Sequence, residues 1–242
     1  MVTLAAREAG EVERLTRDVP RGGVGRGRPA SEVAARAAGC LSVPRWTNWS
    51  VRIHVDEPAA DARLCTAVRE ALTRVTTVLR GIVVVCVGTD RSTGDALGPL
   101  TGHRLRSMVP DRDVVFGTLE DPVHAGNLSE RLETIQRRYA GHVVVAVDAC
   151  LGTLENVGTI CVGLGPLRPG AGVNKSLPPV GDLYVTGVVN VGGFMEYFVL
   201  QNTRLHLVMK MSTVISEGLA AVLAQMPARR LPEQAGLRPP GL

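Results

Sequence analysis

The sequence predicts an α/β protein of three layers, α/β/α, around a mainly parallel central sheet. Three observations carry that prediction. Apolar runs without alternation, GIVVVCV at 81–87 and HVVVAVDA at 142–149, read as strands covered on both faces. Between such runs lie segments with apolar residues at three- and four-residue spacing, the period of a helix with one buried face. Strands alternating with helices favour parallel pairing through right-handed crossovers, which place helices on both faces of the sheet.

The elements follow in order. Residues 1–45 contain PRGGVGRGRPA and two alanine-rich pieces, too poor in apolar surface to offset their ordering entropy, and are expected to be a disordered or loosely helical extension. A single domain is expected over 46–226, with Trp46 and Trp49 covering an edge of its core. In 61–80, Leu64, Val68, Leu72, Val75 and Leu79 mark one helix face. After GIVVVCV, a helix over 96–108 is predicted, with Asp95 as its N-cap and Pro99 tolerated in its first turns. DVVFGTL reads as a strand. Asn127 then caps LSERLETIQRRY, with Glu130 completing a capping box. HVVVAVDA is a strand ending at Asp148, and NVGTICVGLG another. A Gly/Pro-rich loop, GPLRPGAGVNKSLPPVGD, leads to the strand DLYVTGVVN, the helix VGGFMEYFVLQ, a strand RLHLVMKM and a closing helix STVISEGLAAVLAQ. Residues 227–242 read as a flexible tail.

Composition narrows the function classes. The net charge is +4, but 1–45 carries +3 and 227–242 carries +2, so the domain itself is close to neutral. With three Phe and three Tyr there is no aromatic platform for bases, and nucleic-acid binding is not expected. No run of about 18 apolar residues suggests a membrane span. The first residues lack the apolar core of a secretory signal, so a cytoplasmic protein is expected. The five cysteines are odd in number and include no C-x-x-C pair, which suits small buried hydrophobes rather than disulfides or a zinc knuckle.

In such sheets ligands sit at the carboxyl ends of the strands. The unusual residues cluster there: GTDRSTGD at 88–95, EDPVHAGN at 120–127, Asp148, and Asn190 with Gly192 and Gly193. A carboxylate at the end of an apolar strand needs a partner or a raised pKa. If Asp95 and Asp148 come together, they can share a proton, one as base and one as acid, and activate water against a peptide carbonyl. The plainer reading makes Asp95 only a cap and Asp148 only an acceptor of backbone N–H bonds. Thr89, Asp90, Arg91, Ser92, His124, Lys175 and Asn190 are the candidates for substrate contact. Lys175, one of two lysines, suits a substrate carboxylate or an oxyanion, and the backbone of 89–94 suits an oxyanion as well. No dinucleotide fingerprint, phosphate loop or nucleophile elbow is present: the glycines of 88–98 are wrongly spaced, and Asp95 stands where a phosphate loop has Lys.

CVGTDRSTGDALGPLTG, DPVHAGNL, VVAVDACLG and PGAGVNKSLPPVGDLYVTGVVNVGGFMEY together resemble the YyaC-type sporulation proteins, over roughly residues 50–225. That family is in turn similar to two peptidase groups, the germination protease of spores and the hydrogenase-maturation endopeptidases. The resemblance implies their shared α/β fold, a cytoplasmic forespore or mother-cell setting, and a peptide or protein substrate such as small acid-soluble spore proteins, with homo-oligomers an open option. It also implies Asp95, in GDALGP, and Asp148, in AVDAC, as the paired carboxylates, working without a cofactor. The maturation endopeptidases add a metal-binding His in an H-x-x-G-F-like segment. Asn190, in NVGGF, stands at that place, which favours the two-aspartate arrangement over a metal site. A partner-binding sporulation factor without activity and a metal-dependent maturation endopeptidase are the alternative readings.

Overall fold

The computed structural model describes residues 49–169, 177–193 and 195–226. The expectations for 1–45, Trp46, Lys175 and 227–242 therefore lie outside the described residues. Six strands form one sheet: β1 (Ser50–His54), β2 (Ile82–Cys86), β3 (Val115–Phe116), β4 (Val143–Gly152), β5 (Thr159–Leu164) and β6 (Leu183–Val191). Their spatial order is β1-β5-β6-β4-β2-β3. The pairs β6–β4, β4–β2 and β2–β3 are parallel, and β5 is antiparallel to both its neighbours. Five strands thus run one way and β5 alone runs against them.

Helices cover both faces. α1 (Ala60–Val75), α2 (Leu97–Met108) and α5 (Leu205–Leu223) pack together on one face, with α5 in contact with both others. Gly187 of β6 lies under Leu97 of α2 and Met211 of α5. On the opposite face sit α3 (Leu128–Arg138) and the tyrosine that ends it: Tyr139 meets Phe116 of β3 edge to face at 5.9 Å. A short helix, α4 (Glu196–Gln201), follows β6. β2 is buried at every position, as an unalternating apolar run requires when both faces are covered.

Several local expectations are corrected. RLHLVMKM is not a strand but the start of α5, which continues unbroken to Leu223. Leu205, Leu207, Met209 and Met211 alternate like a strand over eight residues. The burial that decides the matter follows Val208, Met211, Ile215, Leu219 and Val222, a helical period visible only over the longer window. α5 is also, among the described residues, the one helix long and apolar enough to cross a membrane, by length and composition alone. Here it is the middle helix of its layer. Asp95 is not the N-cap of α2: Ala96 holds that position, and no side chain caps the helix. The capping box of α3 does not form either. Asn127 turns its side chain backward, accepting the His124 N–H at 2.9 Å and donating to the Pro122 carbonyl at 2.9 Å, so it ties the DPVHAGN turn instead. DVVFGTL contracts to the two residues of β3 after a 3-10 turn at Arg112–Val114. β1 is the element the sequence hid. Its alternation spans only five residues at a sheet edge, with Ile53 as its one buried residue. Trp49 packs against the core beside it, under the Arg74 guanidinium at 5.2 Å.

Part of the glycine density around GDALGPLTG belongs to packing. A Cβ on Gly98 would collide with the Val87 carbonyl oxygen, and one on Gly102 with that of Gly117. Gly117 itself has φ 84° and stands over the Cys86 carbonyl. These contacts let α2 lie directly on the exits of β2 and β3. Gly98→Val is therefore expected to cost about 3 kcal/mol, because the neighbouring Val87 carbonyl is backbone and cannot turn away. A fall in melting temperature of about 6–12 °C, read by circular dichroism, is the expected measure of it.

Candidate active site

The turn after β2 is closed on itself. The Thr89 N–H donates to the Asp95 carbonyl at 3.3 Å, and the Arg91 N–H donates to Thr89 Oγ1 at 3.3 Å. A Cβ on Gly88 would strike that same Asp95 carbonyl, which explains glycine at the first position. Two further bonds fix the turn to its surroundings. The Gly88 N–H donates to the Val123 carbonyl at 2.8 Å, drawing in the DPVHAGN turn. The Gly94 N–H donates to the Leu200 carbonyl at 2.9 Å, drawing in α4. The N–H groups of Thr89, Arg91 and Gly94 are thus already occupied, and an oxyanion would have to be met by others of the turn.

Asp95 is buried at 5% exposure, and that burial raises its carboxyl above the ordinary carboxylate range. Asp148 is fully buried. It does not close its strand, as the sequence suggested, but lies inside the ten residues of β4, with Gly152 four positions further on. Its Oδ1 accepts the Ala149 N–H at 2.8 Å, a bond that favours the charged carboxylate. The strand register links the two aspartates. β2 and β4 are adjacent and parallel, Cys86 stands opposite Val147, and the Val87 N–H donates to the Val147 carbonyl at 2.7 Å. The GTDRSTGD turn therefore leaves β2 at the level of Asp148.

The other candidates separate. Ser92 is 7% exposed, and its hydroxyl makes no hydrogen bond. Asp90 and Arg91 are exposed on the outer side of the turn, and Thr89 is half-buried. The His124 ring accepts the Gly126 N–H at Nδ1, 3.1 Å, within its own turn. Asn190, near the end of β6, donates through Nδ2 to the Val199 carbonyl and to Thr203 Oγ1, both at 3.3 Å, while its Oδ1 accepts the Val191 N–H at 2.8 Å. The nitrogen end of that amide ties β6 to α4 and the turn after it, while the oxygen end stays within β6. A metal ion of the kind the resemblance raised finds no fitting donor set here. Among the described residues no group of three or more His, Cys, Asp or Glu gathers to hold one, and the Asn190 amide is already engaged.

Two features escaped the sequence reading. One is an open cavity of about 550 Å³ lined by Asn190, Val191, Gly192, Phe198, Val199 and Asn202. Around it Met195, Tyr197 and Phe198 are 53%, 62% and 54% exposed. The sequence suggested a helix here but gave no sign that its aromatics face outward. The other is Thr186, the single hydroxyl within DLYVTGVVN, which lies opposite Asp148 across the β4–β6 pair.

The chain is similar to known proteins over most of its described length. Residues 52–218 match the family described as "Protein of unknown function (DUF1256)". The chain is 60% identical over 139 residues to "Uncharacterized protein YyaC" of Bacillus subtilis (strain 168), an alignment covering 57% of this chain and 68% of that protein. Among solved structures, it is similar to a NiFe hydrogenase maturation protease, HycI, from Thermococcus kodakarensis KOD1, with 17% identity and a TM-score of 0.43. That match covers 61% of this chain and 95% of HycI.

Proposed function

The chain belongs to the DUF1256 family, and on that premise we propose that it is a peptidase-like hydrolase working through Asp95 and Asp148. One observation carries the reading: two buried carboxylates brought to one level of the adjacent parallel strands β2 and β4, Asp95 in the turn that leaves β2 and Asp148 within β4. Burial favours the protonated form of Asp95, so the acid role falls to it; Asp148 is buried as well but accepts the Ala149 N–H, a bond suited to a carboxylate, so the base role falls to Asp148. In this mechanism Asp148 takes a proton from water as the water oxygen bonds to the peptide carbonyl carbon. Asp95 gives its proton to the amide nitrogen as the C–N bond breaks. The proton held by Asp148 is then returned to Asp95 through solvent, the new carboxylic acid ionises as it leaves, and one water has been consumed. The open cavity between the end of β6 and α4 would take a large apolar side chain of an extended substrate. Unfolded or extended polypeptides, small acid-soluble spore proteins among them, are the substrates we propose, in the cytoplasm of a sporulating cell.

The test is a cleavage assay of the full chain against small acid-soluble spore proteins and an unfolded reference polypeptide, with and without chelator. Chelator-resistant cutting lost in both aspartate variants supports the reading. Binding without cutting by the unaltered chain would overturn it in favour of a partner-binding factor. The exposed Met195, Tyr197 and Phe198 favour that second reading. Either way, Phe198→Ser is expected to weaken polypeptide binding about tenfold or more, since a buried Phe contributes about 1.5–3 kcal/mol. Fluorescence anisotropy with a labelled polypeptide measures it.

A further inference from the structure

Thr186 sits midway along β6, between the buried Val185 and Gly187. In the β4–β6 pair it stands opposite Asp148, and its neighbours Tyr184 and Val188 stand opposite Ala146 and Cys150. Gly187 faces Leu97 and Met211, so the alternation along β6 turns Thr186 to the other face of the sheet. Asp148, opposite it on the adjacent strand, turns the same way. Thr186 is 1% exposed, yet its Oγ1 makes no hydrogen bond. A buried hydroxyl left unsatisfied costs about 1–3 kcal/mol. Valine has the same shape and strand preference without that cost, and β6 uses it at 185, 188, 189 and 191. Stability alone therefore selects against threonine at this place.

We propose that Thr186 is a positioning residue for Asp148, its hydroxyl turning to donate to the Asp148 carboxylate. Adjacent strands lie about 4.8 Å apart, which puts side chains in register within reach of an O–H···O bond. In the structure the hydroxyl stands beside the Cys150 thiol, which burial pushes up to about 12 and which Thr186 partly lowers again. The thiol lies beside the hydroxyl without meeting it in a formed hydrogen bond, and rotation about one side-chain bond aims the hydroxyl at the carboxylate. Held so, Asp148 keeps one orientation and stays charged, as a base must. That purpose rests on the peptidase reading, whereas the hydrogen bond itself does not.

The test is carboxyl-carbon NMR of the full chain, with the Asp148 signal assigned by its loss in Asp148→Asn. The other titratable groups on this face are Cys150, Cys161 and Tyr184, all raised by burial, with Arg52 on β1 beyond them and Asp95 in the neighbouring turn. The thiols and the phenol stay protonated through the acid range, so they leave the Asp148 midpoint undisturbed. Thr186→Val is expected to raise that midpoint by about one pH unit, as loss of a donor to a carboxylate does. Thr186→Ser is expected to leave it in place. Melting curves on the same samples check folding. Should the valine variant not fold, Thr186→Ser against Thr186→Ala reports the hydroxyl at nearly equal bulk. Equal midpoints with and without the hydroxyl overturn the inference. A shifted midpoint in a chain that cleaves nothing would keep the hydrogen bond and remove the peptidase reading instead.

Discussion

Asp148→Asn is expected to lower kcat/KM for peptide hydrolysis by about 10²–10⁴-fold, the range for loss of a positioned acid or base. Its fold should persist. Asparagine has the volume of aspartate, and its Oδ1 can still accept the Ala149 N–H that Asp148 holds. A fully buried carboxylate is also costly to desolvate, so the neutral amide is not expected to lower the melting temperature. Rate and stability are therefore predicted to part company at this position. Hydrolysis of a fixed peptide, measured beside thermal melts, separates the two roles weighed for Asp148. A structural acceptor alone predicts unchanged turnover. Loss of turnover in a folded variant is the outcome that only a reacting carboxylate gives.

The fold was legible where burial is two-sided and local. GIVVVCV and HVVVAVDA read as strands because every residue of the first after Gly81, and most of the second, is covered. It was not legible where the pattern is short or where two periods overlap. β1 offers five edge residues, and Leu205–Met211 alternates like a strand inside a helix whose buried stripe needs nineteen residues to declare itself. The site was half legible. The polar strand exits do gather, through Gly88 to Val123, Gly94 to Leu200 and Val87 to Val147. Which atoms they leave for chemistry was hidden. Hydrogen bonds occupy the N–H groups of Thr89, Arg91 and Gly94, the Asn190 amide and one ring nitrogen of His124, and those bonds depend on partners 1 to 106 positions away, a span set by the bonds Val191 to Asn190 and Gly94 to Leu200. Thr186 was hidden for a different reason: a lone threonine in a β-branched run is ordinary until the register places it beside Asp148.

Asp95→Asn is expected to do two opposite things at once: lower hydrolysis by about 10²–10⁴-fold and raise stability at neutral pH. Burial lifts the folded-state pKa of Asp95 above its ordinary 3.8, so the folded chain holds that proton more tightly than the unfolded one. The stability this represents is fully present below about pH 3.8. It is lost as pH rises through the raised folded value, and above that value the folded state carries a buried charge. Asparagine carries none at any pH. The variant should therefore melt above the unaltered chain at pH 7, and that advantage should vanish below about pH 4. The comparison has to be a difference between the two chains, because burial raises Asp182 as well and its contribution is common to both. The same proton sets the sign for catalysis. A general acid works only while protonated, so turnover should fall as pH rises through the Asp95 value, and that basic limb should be absent from whatever activity the variant retains. A variant that melts higher yet cuts as fast as the parent would make Asp95 a buried carboxylate with no part in the reaction. Higher stability with lost turnover is the signature of a group whose destabilising burial is maintained for its chemistry.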